Sequence, residues 1–97
     1  MAKIFLCYAR HDGELARAVH SRLCEQGLNV WVDWECLQPS DCWKQAVFTA
    51  IEAASALYFL ETPSSVSSVN CQLELGYAMQ MRRAIHFISG SDVAAGR

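Results

Sequence analysis

Three groups of residues in this 97-residue chain carry side chains suited to chemistry, and each follows an apolar run: Arg10-His11-Asp12, Asp33-Trp34-Glu35, and a single acid, Glu74. On a helical wheel Cys71, Leu75 and Ala78 fall within about 40° of one another, and Glu74 lies about 60° from Cys71, at the border of that stripe. A carboxylate there is expensive to bury unless a partner or a cleft receives it. Two readings stand. Glu74 is either a fixed charge in a cleft, able to stabilise positive charge developing on a substrate, or a helix-start acid held by the dipole or paired with Arg10. Trp34 reads as a stacking surface for a base or pyridinium ring, or as a packing anchor beside a turn. Spacing alone makes Glu35 a solvated loop charge. His11 has no Ser or Cys at a recognisable spacing, so nucleophilic catalysis is poorly supported. His20 falls on a helix outside the cleft, His86 reads as a core or edge histidine, and Trp43 and Tyr58 read as core.

The elements that must position these residues are four apolar runs, at 4–8, 29–33, 56–60 and 84–88, alternating with three helical patterns. Residues 4–8 are apolar on both faces, as a strand covered on two sides requires. Asp12 suits the N-cap of a helix that aligns Leu15, Val19 and Leu23, with Gly27 at its C-terminal cap. Ser40 can cap a second helix bearing Trp43, Val47, Ala50, Ile51 and Ala54 on one stripe. Residues 62–65 read as a loop, and the third helix runs from about 68 to 81. Leu73 and Tyr77 leave its inward stripe, which points to a contact surface for another protein. Such alternation implies right-handed crossovers and a parallel sheet. The expected fold is α/β and flavodoxin-like, with strand order 2-1-3-4 and helices on both faces. Ligands then bind beyond the carboxyl ends of the strands, where the winding reverses. That rule selects the loops 8–12, 33–41 and 61–70. One domain covers 1–89, and 90–97 reads as a tail or the start of a linker.

Composition narrows the function classes. Eight basic and ten acidic residues give a formal charge of −2 without a basic stripe, so nucleic-acid binding is not indicated. No apolar run reaches the roughly 18–20 residues of a membrane span, and the start lacks a signal peptide's apolar stretch. The chain reads as cytoplasmic. Its five cysteines include no C-x-x-C pair, which argues against a disulfide framework, a redox motif or a zinc site. Cys7 and Cys24 read as small buried apolar residues. No dinucleotide or triphosphate glycine fingerprint follows any strand. The paired acids of a receiver domain and the Ser/Thr-rich phosphate loop of a flavodoxin are also missing.

The motifs do converge on one family. Residues 4–12, Ile-Phe-Leu-Cys-Tyr-Ala-Arg-His-Asp, resemble the first signature of Toll/interleukin-1 receptor (TIR) domains. Residues 30–43 resemble the second strand and BB loop of the bacterial branch, and residues 64–75 resemble the serine-rich loop and Cys-x-x-Glu-Leu helix start. Cys7 replaces the family's usual Ser, Ser40 its Gly and Asn70 its common Trp. The family's pattern continues with a fifth strand and a last helix beyond these residues, so the resemblance implies either a piece of a longer protein or a shortened variant, and in both cases strand four is expected to present an open sheet edge.

The resemblance implies an NAD⁺ glycohydrolase activated by self-assembly, in prokaryotic immune defence or signalling. By the family's pattern Glu74 is the catalytic glutamate. Tyr8, Ala9, Arg10, Trp34 and Glu35 contact the substrate, and Leu37, Pro39, Ser40 and Asp41 form the BB-loop interface. NAD⁺ would be substrate, with no cofactor and no metal. The partners implied are further copies of the chain and a fused or associated sensor domain. The alternative is a non-catalytic module that recruits other TIR domains. A generic flavodoxin-like nucleotide binder is a third reading.

Overall fold

A computed structural model describes residues 3–32 and 43–90. Within them β1 (Lys3–Cys7), α1 (Gly13–Glu25), β2 (Asn29–Trp31), α2 (Trp43–Ala53), β3 (Ala56–Glu61), α3 (Pro63–Val66), α4 (Val69–Gln80) and β4 (Ala84–Ser89) follow in order. The four strands form one parallel sheet in the order β2-β1-β3-β4. Both the class and the winding match the expectation from alternating apolar runs.

The two-residue period of a strand divides the core into two layers. Ile4 and Leu6 of β1, Val30 of β2 and Leu60 of β3 meet Ala16, Val19 and Leu23 of α1 on one face. Phe5 and Cys7 of β1 with Leu57 and Phe59 of β3 face α2, through Val47 and Ile51, and α4, through Cys71 and Ala78. Register fixes this division: Phe5 lies opposite Leu57, Cys7 opposite Phe59, and Phe59 opposite Phe87. The apolar layers stabilise the sheet by the area they take from water, about 25 cal/mol per Å².

Helix ends follow local rules with two departures. Gly27 closes α1 in the left-handed region at φ +85, as a C-terminal glycine should. The Leu28 amide then reaches back to the Leu23 carbonyl at 3.1 Å. At the end of α4 the same backbone reversal falls on Arg82, with φ 60, and Arg83 donates to the Ala78 carbonyl at 2.9 Å. The second departure is Asp12. It occupies the N-cap position of α1, but its side chain makes no capping bond, because a single 3-10 turn over Arg10–Asp12 leads directly into the helix.

Several side chains sit differently from expectation. Cys24 is exposed rather than buried, on the outer side of α1 beside His20. Tyr77 packs toward α2, its ring tilted against Phe48 with centroids 4.6 Å apart, and its hydroxyl donates to the Glu52 carboxylate. Leu73 does stay exposed. His86 is exposed on β4 against Tyr58, with rings 4.9 Å apart.

Candidate functional site at the carboxyl end of the sheet

The loop after β3 is built by a short-range device that its Thr-Pro-Ser-Ser sequence encodes. Rather than an irregular loop, it is the helical turn α3, with Pro63 at the first position, where a missing N–H costs nothing. Thr62 Oγ1 accepts from the Ser65 amide at 3.0 Å, and Ser65 Oγ accepts from the Thr62 amide at 2.9 Å. These reciprocal bonds form a capping box. The Thr62 hydroxyl also donates to Asp12 Oδ2 at 2.5 Å, joining the loops that follow β1 and β3. The loop after β4 arrives there too. A Cβ on Gly90 would lie 2.6 Å from Thr62 Cγ2, so only glycine fits. Thr62, Ser65 and Gly90 thus shape the rim, and the Thr-Pro-x-Ser spacing was the signal for the first two.

Ser68 then caps α4, accepting from the Cys71 amide at 3.2 Å. From this start Cys71, Glu74 and Ala78 fall on one buried face, the spacing of three and four that a helix requires. Glu74 is 8% exposed. It is the sixth residue of α4, beyond the first turn, so the helix-start reading does not describe it. It follows Cys71 on that face, and the thiol of Cys7, the last residue of β1, donates to the Cys71 carbonyl at 3.8 Å. Hydrogen bonding to Cys71, then burial, then the Glu74 charge push the Cys7 thiol well above its ordinary pKa. That thiol therefore stays protonated and is no nucleophile.

Of the other residues singled out by sequence, Ala9 is buried on the face of the sheet shared by Cys7 and Glu74. Tyr8 is half-buried and packs against the opposite layer, beside α1. Arg10 is exposed in the 3-10 turn. The structure thus brings Cys7, Ala9, Cys71 and Glu74 together and directs Tyr8 to the other face. Trp34, Glu35, Leu37, Pro39, Ser40 and Asp41 lie outside the described residues. Among the described residues no cluster of three or more His, Cys, Asp or Glu is arranged to hold a metal ion. No helix there is long and apolar enough to cross a membrane.

The family model for the TIR domain matches residues 4–89. This chain belongs to the TIR-domain family. Among solved structures, the TIR domain of the Toll-related receptor TRR-2 from Hydra magnipapillata superposes with a TM-score of 0.74 at 18% identity, covering 92% of this chain and 69% of that one. A 2-desoxiribosyltransferase from Leishmania mexicana gives 0.73 at 14% identity, over 92% of this chain and 65% of its own. The CMP N-glycosidase BcmB from Clostridium botulinum gives 0.62 at 16% identity, over 96% of this chain and 81% of its own. At such identities the likeness is one of fold. No protein of curated function matches the chain significantly.

Proposed function

We propose that this TIR domain is an NAD⁺ glycohydrolase, activated by self-assembly, with Glu74 as its catalytic residue. One observation carries the reading: a buried carboxylate stands on the helix face that packs on the last residue of β1, at the carboxyl end of a parallel sheet, where ligands of this architecture bind. A docking module gains nothing from a charge in that position and loses stability by desolvating it.

The chemistry suits a single fixed acid. Nicotinamide is already cationic in NAD⁺ and leaves as a neutral ring, so no strong general acid is needed. As its bond to ribose breaks, positive charge develops on the sugar, and a carboxylate held nearby stabilises that charge. Water then takes the vacated position, giving ADP-ribose, nicotinamide and a proton. Two proteins of similar fold have names that speak of glycosyl chemistry, one a CMP N-glycosidase and one a 2-desoxiribosyltransferase. In this proposal Tyr8, Ala9, Arg10, Trp34 and Glu35 contact the substrate, Ala9 from the face of the sheet it shares with Cys7, and Leu37, Pro39, Ser40 and Asp41 serve the interface with a neighbouring copy. Such an activity fits the toxic or signal-producing head of an immune protein.

The test is nicotinamide release from NAD⁺ by the full chain, across concentrations that bring it into assemblies. Glu74→Ala is expected to lower the rate by about 10²–10³-fold, the scale of losing one electrostatic stabiliser. Equal rates would end the proposal.

A second reading, the non-catalytic interaction module, draws on the outer face of α3 and α4. There Val66, Val69 and Leu73 are 51%, 73% and 48% exposed. It predicts no nicotinamide release at any concentration.

A further inference from the structure

We propose that His20 and Cys24 form a two-ligand site for a soft divalent cation such as zinc, on the outer side of α1. The site stands apart from Glu74, since α1 covers the opposite face of the sheet from α4. His20 and Cys24 are four residues apart in α1, a spacing at which helical side chains are neighbours. They do meet: Cys24 Sγ lies 3.8 Å from His20 Nε2 and 3.9 Å from Nδ1. Zinc bonds of ~2.3 Å to sulfur and ~2.0–2.1 Å to nitrogen, at a tetrahedral angle, need those atoms about 3.5 Å apart. The pair therefore stands within about 0.3 Å of the span of a chelate. The near-equal distances mean that neither nitrogen is aimed at the sulfur, and a turn of the ring about χ2 aims one. The other nitrogen keeps its capacity for a further partner, as in most metal-bound histidines.

The surroundings suit a cation. Cys24 is exposed and His20 half-buried, so an ion reaches them without opening the core. Thiolate with imidazole is a donor set that selects zinc and similar metals over magnesium or calcium. Cys24 stands in the last turn of α1, which ends at Glu25, where the negative end of the helix dipole favours positive charge. Of the basic residues in this helix, Arg22 lies about 160° around the axis from Cys24. Arg17 lies one turn before His20 and about two turns from Cys24. No third His, Cys, Asp or Glu completes a cluster among the described residues. Water takes the remaining positions, giving an open site with one ion per chain. On binding, the thiol releases its proton to solvent and the imidazole binds in its neutral form. The lack of a C-x-x-C pair argues against zinc in the sequence, but a His-x-x-x-Cys pair on one helix face escapes that test.

The experiment titrates cobalt(II) into the reduced full chain and then displaces it with zinc(II). Cobalt bound to a thiolate gives a charge-transfer absorption in the near ultraviolet. Wild type is expected to develop this band at one ion per chain and to lose it as zinc is added. Cys24→Ser is expected to remove the band. His20→Ala is expected to weaken cobalt binding by at least about tenfold, the scale of losing even an outer-shell partner. A second measurement needs no absorption band: zinc is expected to slow alkylation of Cys24 in wild type and not in His20→Ala. Peptide mapping separates this thiol from the other four cysteines. A band undiminished in Cys24→Ser, cobalt binding unchanged in His20→Ala, or Cys24 alkylated equally fast with and without zinc overturns the proposal. None of these readouts involves NAD⁺, so the site and the glycohydrolase reading stand or fall separately.

Discussion

At the scale of single residues, two side chains on the sheet's carboxyl rim do several things at once. Glu74 is 8% exposed, and taking a carboxylate out of water costs stability, which accords with the proposed role for its charge. Thr62 works in the opposite sense. Its hydroxyl oxygen caps α3, its hydrogen binds Asp12, and its methyl covers Gly90. Thr62→Val keeps the shape and deletes both hydrogen bonds. It is expected to lower stability by about 1–2 kcal/mol, the sum of a lost cap and a stranded acceptor. Urea unfolding checks this, and an unchanged midpoint would mean that the rim does not depend on the Asp12 contact. The Thr-Pro-x-Ser spacing holds the signal for the cap even though residues 62–65 read as a loop, whereas the contacts with Asp12 and Gly90 leave no trace in the sequence. Asp12, assigned to cap its own helix, spends its carboxylate across the sheet instead, and only tertiary structure could reveal that.

At the scale of elements, the sheet and its helices were legible because burial on two faces writes continuous apolar runs, and such runs carry period and spacing together. Strand order followed from the same alternation. What stayed hidden were side chains whose direction depends on a neighbouring helix. Tyr77 leaves the inward stripe of α4 on a wheel, yet α2 stands beside that edge and Phe48 receives its ring. Arg83 fastens the same pair of helices, donating to the Glu52 carbonyl at 2.7 Å where α2 ends. The end of α4 gave no sequence signal, because the left-handed position is held by Arg82 rather than glycine. The Tyr77 contact has a pH signature. Its hydrogen bond to Glu52 raises the phenol above its ordinary pKa of 10.0, so the folded state holds that proton more tightly than the unfolded chain does. The resulting stability is present in full below pH 10 and is lost as pH rises through the higher, folded value. Tyr77→Phe should therefore melt lower than wild type at pH 7–9, and the gap should close above pH 10. A gap that persists undiminished would show that the ring, not the hydroxyl, joins the helices.

At the scale of the whole molecule, the fold is a frame that brings the ends of β1 and α4 to one rim and leaves apolar surface elsewhere. Val66, Val69 and Leu73 on one side, and Phe87, 58% exposed on β4, are more than a small domain of this size needs to show water. A protein that works in assemblies would cover such surface, so both proposed functions share this feature and it cannot separate them. The charge on residue 74 can. Glu74→Gln keeps the volume and one acceptor oxygen but removes the negative charge, and a neutral amide at a buried site should leave the fold at least as stable. The most direct measurement is the rate of nicotinamide release from NAD⁺ by assembled Glu74→Gln protein against wild type at equal concentration. A glycohydrolase acting through this carboxylate predicts a fall of about 100-fold or more with no drop in melting temperature. Undiminished release from the neutral variant, or none from wild type in any state of assembly, would contradict it.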